Sequence, residues 1–287
     1  MDEFDDFQQD EIIDPKRLVN KVRKKRKLRK GRKKQSVFRG FFRFVLTIIF
    51  LCGFVYISKM PQWYLPKDAF TKPNGKSVVV INNRIVKTQK IFSILKNVEV
   101  PNVPIYMAKT QYIKQEIEKL APVKEAYVRR YAFPARLQII LKERIPVVTV
   151  SPDVKVPPVA AFSEDGVMMG KEFLPLNKEF KTILVLSYGN KGDDYKKWNG
   201  QKIKTFEKIV KYIETYSKEN VEFIDYRNPQ DVYVKIETVN IRLGKLDENV
   251  FKRLEKLPSL LPQVKLMDSK IKYLDMSWEK VNYLKLE

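Results

Sequence analysis

The stretch YVRRYAFPARLQIILKERIPV, Tyr127 to Val147, reads as two short strands joined by a turn. Ala126 and Val128 point one way while Tyr127 and Arg129 point the other. Phe133 and Pro134 turn the chain, and Leu137, Ile139 and Leu141 then alternate with Gln138, Ile140 and Lys142. A period of two with one apolar face is the mark of a half-buried hairpin, so a covering layer is expected nearby. Upstream, the β-branched run Val78 to Ile81 reads as a strand closed by Asn82 and Asn83, since Asn tolerates the left-handed region. TQKIFSILKNV follows with Ile91, Leu95 and Val98 on one helical face and Thr88 as the expected N-cap. A second helix, Thr110 to Leu120, aligns Ile113, Ile117 and Leu120 and is ended by Pro122. The order strand, helix, helix, strand, strand predicts an α+β domain, a three-stranded sheet with two helices on one face and an open edge.

Pro152, Pro157 and Pro158 mark a break, after which VAAFSEDGVMM reads as a hairpin turning at Asp165 and Gly166. Glu164 and Asp165 could be taken for the paired carboxylates of a glycosidase, but those sit on separate elements across a substrate, whereas D-G between short apolar runs is a turn. Beyond it the pattern gives a strand Thr182 to Ser187 and a helix from about Lys202 to Tyr216 with Ile203, Phe206, Val210 and Ile213 on one side. The strands EFIDY, DVYVKIE and NIRLG, a helix Glu248 to Leu257, and the strands KIKYLDMS and KVNYLKL complete a mixed sheet with helices. The loop Gly189 to Lys202 has three glycines but lacks the G-K-[ST] ending of a phosphate loop, and it reads as a surface connection.

Composition narrows the chemistry. The 287 residues contain no histidine, which removes the usual general base of Ser and Cys hydrolases and the commonest zinc ligand. The single cysteine, Cys52, lies in an apolar run and reads as a small buried hydrophobe, so no disulfide within the chain and no cysteine metal site is available. No catalytic residue, metal or cofactor is expected. The net charge of +22 is unevenly spread: residues 1–14 hold seven acids and no base, and residues 16–43 hold fifteen Lys or Arg and no acid.

The apolar run Phe44 to Ser58 follows that basic arm and reaches back to Phe41 if Arg43 snorkels to the headgroups. With Trp63 and Tyr64 as an aromatic belt it reads as a membrane span, uncleaved because no small-residue cleavage site follows it. The positive-inside rule then places the arm in the cytoplasm and everything from about Lys59 outside. The basic run KKRKLRKGRKK could contact nucleic acid phosphates, a reading set behind topology and anionic lipid because the run adjoins the span. The expected organisation is an acidic and basic arm at 1–40, a transmembrane helix at 41–58 and a linker at 59–77 holding Pro61, Pro66, Pro73 and Gly75. Two exported domains follow, at 78–146 and 150–287.

VVVINNRIV followed by LAPVKEAYVRRYAFPARLQIILKERIPVV resembles the POTRA domain of the FtsQ/DivIB family of bacterial cell-division proteins. Pro122, Val123, Ala126, Val128, Arg130, Phe133, Pro134, Leu137, Ile139, Glu143, Arg144 and Pro146 carry the resemblance, with Asn82 in place of the usual turn glycine. The second domain is similar to that family's β-domain at Asp165 and Gly166, at Ile241, Leu243 and Gly244, and at Leu274 and Asp275. The resemblance implies a single-pass, non-enzymatic scaffold in the plasma membrane at the division septum. It would bind FtsB/DivIC-like and FtsL-like coiled-coil proteins and through them influence septal peptidoglycan synthesis by FtsW and FtsI. In the family the last strands of the β-domain take the partner, which makes Tyr273, Asp275, Trp278, Val281 and Tyr283 the candidate partner-binding residues. Met276 and Ser277 depart from the family's apolar–Arg pair there. Other readings are a POTRA-bearing chaperone of exported proteins and a membrane-anchored wall enzyme. Glu143 and Arg144 are expected to pair with neighbours or cap the sheet more readily than to meet a partner.

Overall fold

The computed structural model describes residues 15–73, 75–190, 194–267, 271–278 and 283–286. The chain divides into two compact units between Trp63 and Tyr64. The first unit holds one continuous helix, α1 (Pro15–Ser58), and a short 3-10 turn at Pro61–Trp63. The part of α1 long and apolar enough to cross a membrane is Val37–Ser58, four residues longer at its start than the sequence pattern suggested, because Val37 and Phe38 extend the apolar run past Arg39. Its 22 residues rise about 33 Å, against a hydrocarbon core of about 30 Å. Trp63 turns back to donate its indole N–H to the carbonyl of Ile57 at 2.6 Å, which tethers the 3-10 turn to the end of the helix. Cys52 is exposed on α1 and does not lie in a protein core as its apolar setting suggested, since every neighbour in that run belongs to the same helix.

In the second unit, β1 (Val78–Ile81), α2 (Thr88–Leu95), α3 (Gln111–Glu118), β2 (Val123–Tyr131) and β3 (Arg136–Glu143) form the expected βααββ domain. The strand order is β1-β3-β2, with β1 parallel and β2 antiparallel to the central β3. Ile91, Phe92 and Leu95 of α2 and Ile113 and Ile117 of α3 bury against Leu137, Ile139 and Leu141 of β3, the apolar face that the alternation marks. Asn82 takes the left-handed conformation, φ 62°. The turn that follows is fastened from across the sheet: the Glu143 carboxylate accepts the backbone N–H groups of Arg84, Ile85 and Val86, each at 2.8 Å. Thr88 is not the N-cap. It is the first helical residue, and its hydroxyl accepts from the Asn83 side chain at 3.0 Å, so the carboxylate of Glu143 has taken over the fastening of this turn. Leu65, Ala69 and Phe70, within the stretch read as a linker, are buried in this domain's core; the prolines there shape a folded turn instead of a flexible tether.

Among the described residues the other sheet has nine strands, in the order β12-β11-β10-β9-β8-β7-β4-β5-β6. Its strands are β4 (Pro146–Ser151), β5 (Ala160–Ser163), β6 (Met168–Met169), β7 (Ile183–Leu186), β8 (Val221–Asp225), β9 (Val232–Ile236), β10 (Asn240–Gly244), β11 (Ile271–Asp275) and β12 (Tyr283–Leu286). Thus PVVTVS, which the sequence pattern divided between the end of one domain and a break, is a strand of the second sheet. The helices α4 (Gly200–Ser217), α5 (Val250–Leu254) and α6 (Leu257–Leu266) cover one face through Phe206, Ile209, Ile213, Leu254 and Leu261. Helix α6 went unread because Pro258 and Pro262 suggest a break; Pro258 falls in the first turn, where no backbone N–H is needed. The loop read as a surface connection is anchored: Trp198 packs against Phe162, Phe206 and Tyr226 at ring separations of 5.1–5.6 Å, and the Asn199 side chain caps α4 by accepting the Lys202 N–H at 2.9 Å.

The two sheets share packing. Ala161, Met169 and Phe173 of the second domain join the core of the first. Arg144 sits at this junction, donating to the carbonyls of Ala121 at 3.0 Å and of Val123, and to the Asp165 carboxylate at 3.0 Å. Glu143 and Arg144 therefore fasten the fold, as expected for them.

Candidate partner-docking edge

Strands β10 and β11 run parallel with Arg242 opposite Asp275, and β11 and β12 run antiparallel with Asp275 opposite Tyr283. Ile241, Leu243 and Leu274 point to the helices, so by alternation Arg242, Tyr273 and Asp275 lie on the other face, joined there by Tyr233 of β9. Arg242 organises this face. Its guanidinium bonds Asp231 at 2.7 and 3.1 Å and Asp275 at 2.8 Å. Tyr273 lies edge-on to Tyr233 with ring centres 5.7 Å apart, and the cations of Arg242 and Lys285 each sit 5.7 Å from its ring. Burial pushes the Asp275 carboxyl up, but hydrogen bonds from the Ser277 hydroxyl and backbone and the pairing with Arg242 together hold it below the ordinary value. Asp275 is 6% exposed, so it braces the strand end from inside.

Of the five candidate residues, Tyr273 and Asp275 are thus brought together on β11, half-buried and buried respectively. Trp278 is 65% exposed just beyond the strand. Tyr283 opens β12, and Val281 lies outside the described residues. Sequence reasoning missed Arg242, Asp231 and Tyr233. The signal was present in NIRLG: an arginine between two core-facing residues must emerge on the opposite face. The departure at Met276 and Ser277 is also explained, because Met276 is fully buried, its N–H bonded to the Arg242 carbonyl at 2.8 Å, while Ser277 bonds Asp275.

β12 is the last strand of the sheet, and among the described residues no strand pairs with its outer side. An edge of this kind presents unpaired backbone N–H and C=O groups that an added strand can satisfy. Among the described residues there is no group of three or more His, Cys, Asp and Glu placed to hold a metal.

Fold and edge together define a POTRA-bearing protein with one apolar helix ahead of it. Residues 74–144 match the family described as POTRA domain, FtsQ-type, over about a quarter of the chain. This domain and the one membrane-length apolar segment among the described residues, Val37–Ser58 of α1, fit the FtsQ/DivIB family, which implies a membrane-anchored protein associated with cell division. No curated protein matches the chain.

Proposed function

We propose that this protein is a bitopic scaffold of the bacterial division machinery, acting at the septum by binding and not by catalysis. The observation that carries the reading is the terminal position of β12 in a chain whose preceding domain is of FtsQ type. The basic arm before the span keeps the N-terminus cytoplasmic and exports the two domains. There the outer side of β12 takes an extended segment of an FtsB/DivIC-like partner, itself paired with an FtsL-like protein, by backbone hydrogen bonds. Trp278 and the Tyr273 ring supply the side-chain contacts that give specificity. Docking on this edge passes the state of the complex to the FtsW and FtsI synthases.

A photo-crosslinking amino acid at Tyr283, introduced in living cells and read by mass spectrometry, tests this. The expected adduct is with a small single-span coiled-coil protein. Adducts confined to this chain would remove the edge as a docking site, and adducts to many different exported proteins would favour a chaperone.

A further inference from the structure

From residue 59 onward the chain carries a net charge of +14, because fifteen of its 56 Lys and Arg and seven of its 34 Asp and Glu come earlier. Part of that charge is laid out in order on α4. Lys204, Lys208 and Lys211 follow one another at four and three residues, which places them on one face of the helix, and all three are exposed; Lys204 borders a separate cleft with Glu164 and Asp165 and lies near Glu207, which leaves Lys208 and Lys211 as the pair clear of those acids. None of the three forms a salt bridge with a described residue. An exposed lysine face alone is ordinary solvated surface. What distinguishes this one is the groove of about 500 Å³ beside it, lined by Lys208, Lys211, Tyr212, Thr215, Tyr216 and Phe251. Its floor is aromatic: Tyr212 lies 5.7 Å from Tyr216 and 5.1 Å from Phe251 between ring centres. No acidic residue lines it. The nearby Glu214 is turned to the Val221 backbone N–H at 3.3 Å.

We propose that the groove between α4 and α5 docks an acidic amphipathic helix of a partner protein. Such a helix repeats its carboxylates every three to four residues, the spacing of Lys208 and Lys211, and sets an apolar side chain against Tyr212 and Phe251. A linear polyanion without apolar groups would match the lysines and leave the aromatic floor unused. The surface belongs to the helix-covered face of the second domain and is separate from the β12 edge, so the two docking modes stand or fall independently.

The test uses the full chain in lipid nanodiscs, with empty nanodiscs as the blank. The probe is a fluorescein-labelled helical peptide of about 18 residues, five turns, with a glutamate stripe beside a leucine stripe, followed by anisotropy. Saturable binding is expected, weakened about tenfold by K208E/K211E and weakened also by Tyr212→Ala. Circular dichroism confirms that each variant keeps its fold, and because Lys208 and Lys211 are exposed the double variant remains informative if Tyr212→Ala does not. Absence of binding, indifference to K208E/K211E, or equal competition by poly-L-glutamate at the same charge concentration overturns the proposal. The last of these would identify the groove as a plain polyanion surface.

Discussion

Glu143 shows how one side chain can hold two parts of a fold in register. Its carboxylate leaves β3 and gathers three consecutive amides of the turn after β1, which lacks a capping residue of its own. Glu143→Ala would leave those amides without their acceptor, a cost of about 2–4 kcal/mol, and should lower Tm by about 4–16 °C. Glu143→Gln keeps one acceptor oxygen and should lose about half as much; equal loss in the two variants would mean that the side chain acts by packing. Two aspartates give the stability a pH dependence of known sign. The Ser163 hydroxyl and then Arg144 hold the Asp165 carboxyl below its ordinary value; Asp275 is depressed as well, its bonds to Ser277 and Arg242 outweighing burial. A depressed folded pKa contributes stability that is complete above the unfolded value near pH 4 and is lost as pH falls through the folded one. Denaturant midpoints should therefore stay level with respect to these groups above about pH 5 and decline below about pH 4. Asp275→Asn should flatten part of that decline, and an unchanged slope in this variant would exclude Asp275 as a contributor.

Elements were legible where burial imposes a period on the sequence. Strands β2 and β3, with Val128 and Leu137 to Leu141 alternating, and helix α3, with Ile113 and Ile117 a turn apart, could be read because each has one buried face. The D-G turn at Asp165 and Gly166 was legible for the same local reason. Its closeness to α4 was not: a Cβ on Gly166 would collide with the Gly200 backbone nitrogen, a contact between residues 34 apart in sequence. Helix α6 was hidden because proline reads as a breaker unless its place in the first turn is known. The terminal strands β11 and β12 were legible, but the Arg242 cluster was not, because an ion pair between neighbouring strands depends on register and not on spacing along the chain. The stretch before β1 misled most, since prolines look like a tether while Leu65 and Phe70 bury. Phe70 is 1% exposed, and Phe70→Ala should cost about 3–5 kcal/mol. Measured by urea denaturation, a cost below about 1 kcal/mol would show that the core begins after this segment.

The two sheets behave as one body if their shared packing matters. Met169 is fully buried and Phe173 is 8% exposed, both in the core of the first domain although Met169 belongs to β6 of the second sheet and Phe173 to the 3-10 turn Lys171–Phe173 that follows it. Arg144 adds polar fastening to carbonyls on one side and Asp165 on the other. Domains that meet through small polar surfaces unfold separately and move by default, whereas a continuous apolar contact couples them. Hydrogen exchange on the full chain across a urea series should then show β3 in the first domain and β9 and β10 in the second losing protection at the same midpoint. Phe173→Ala, costing about 3–5 kcal/mol, should shift both midpoints together. A shift confined to one sheet, or two separate midpoints in the unaltered chain, would make the junction a hinge. The distinction bears on the proposed scaffold role directly, since a rigid body fixes where the β12 edge stands relative to the POTRA domain and a hinge would leave that to whatever the edge binds.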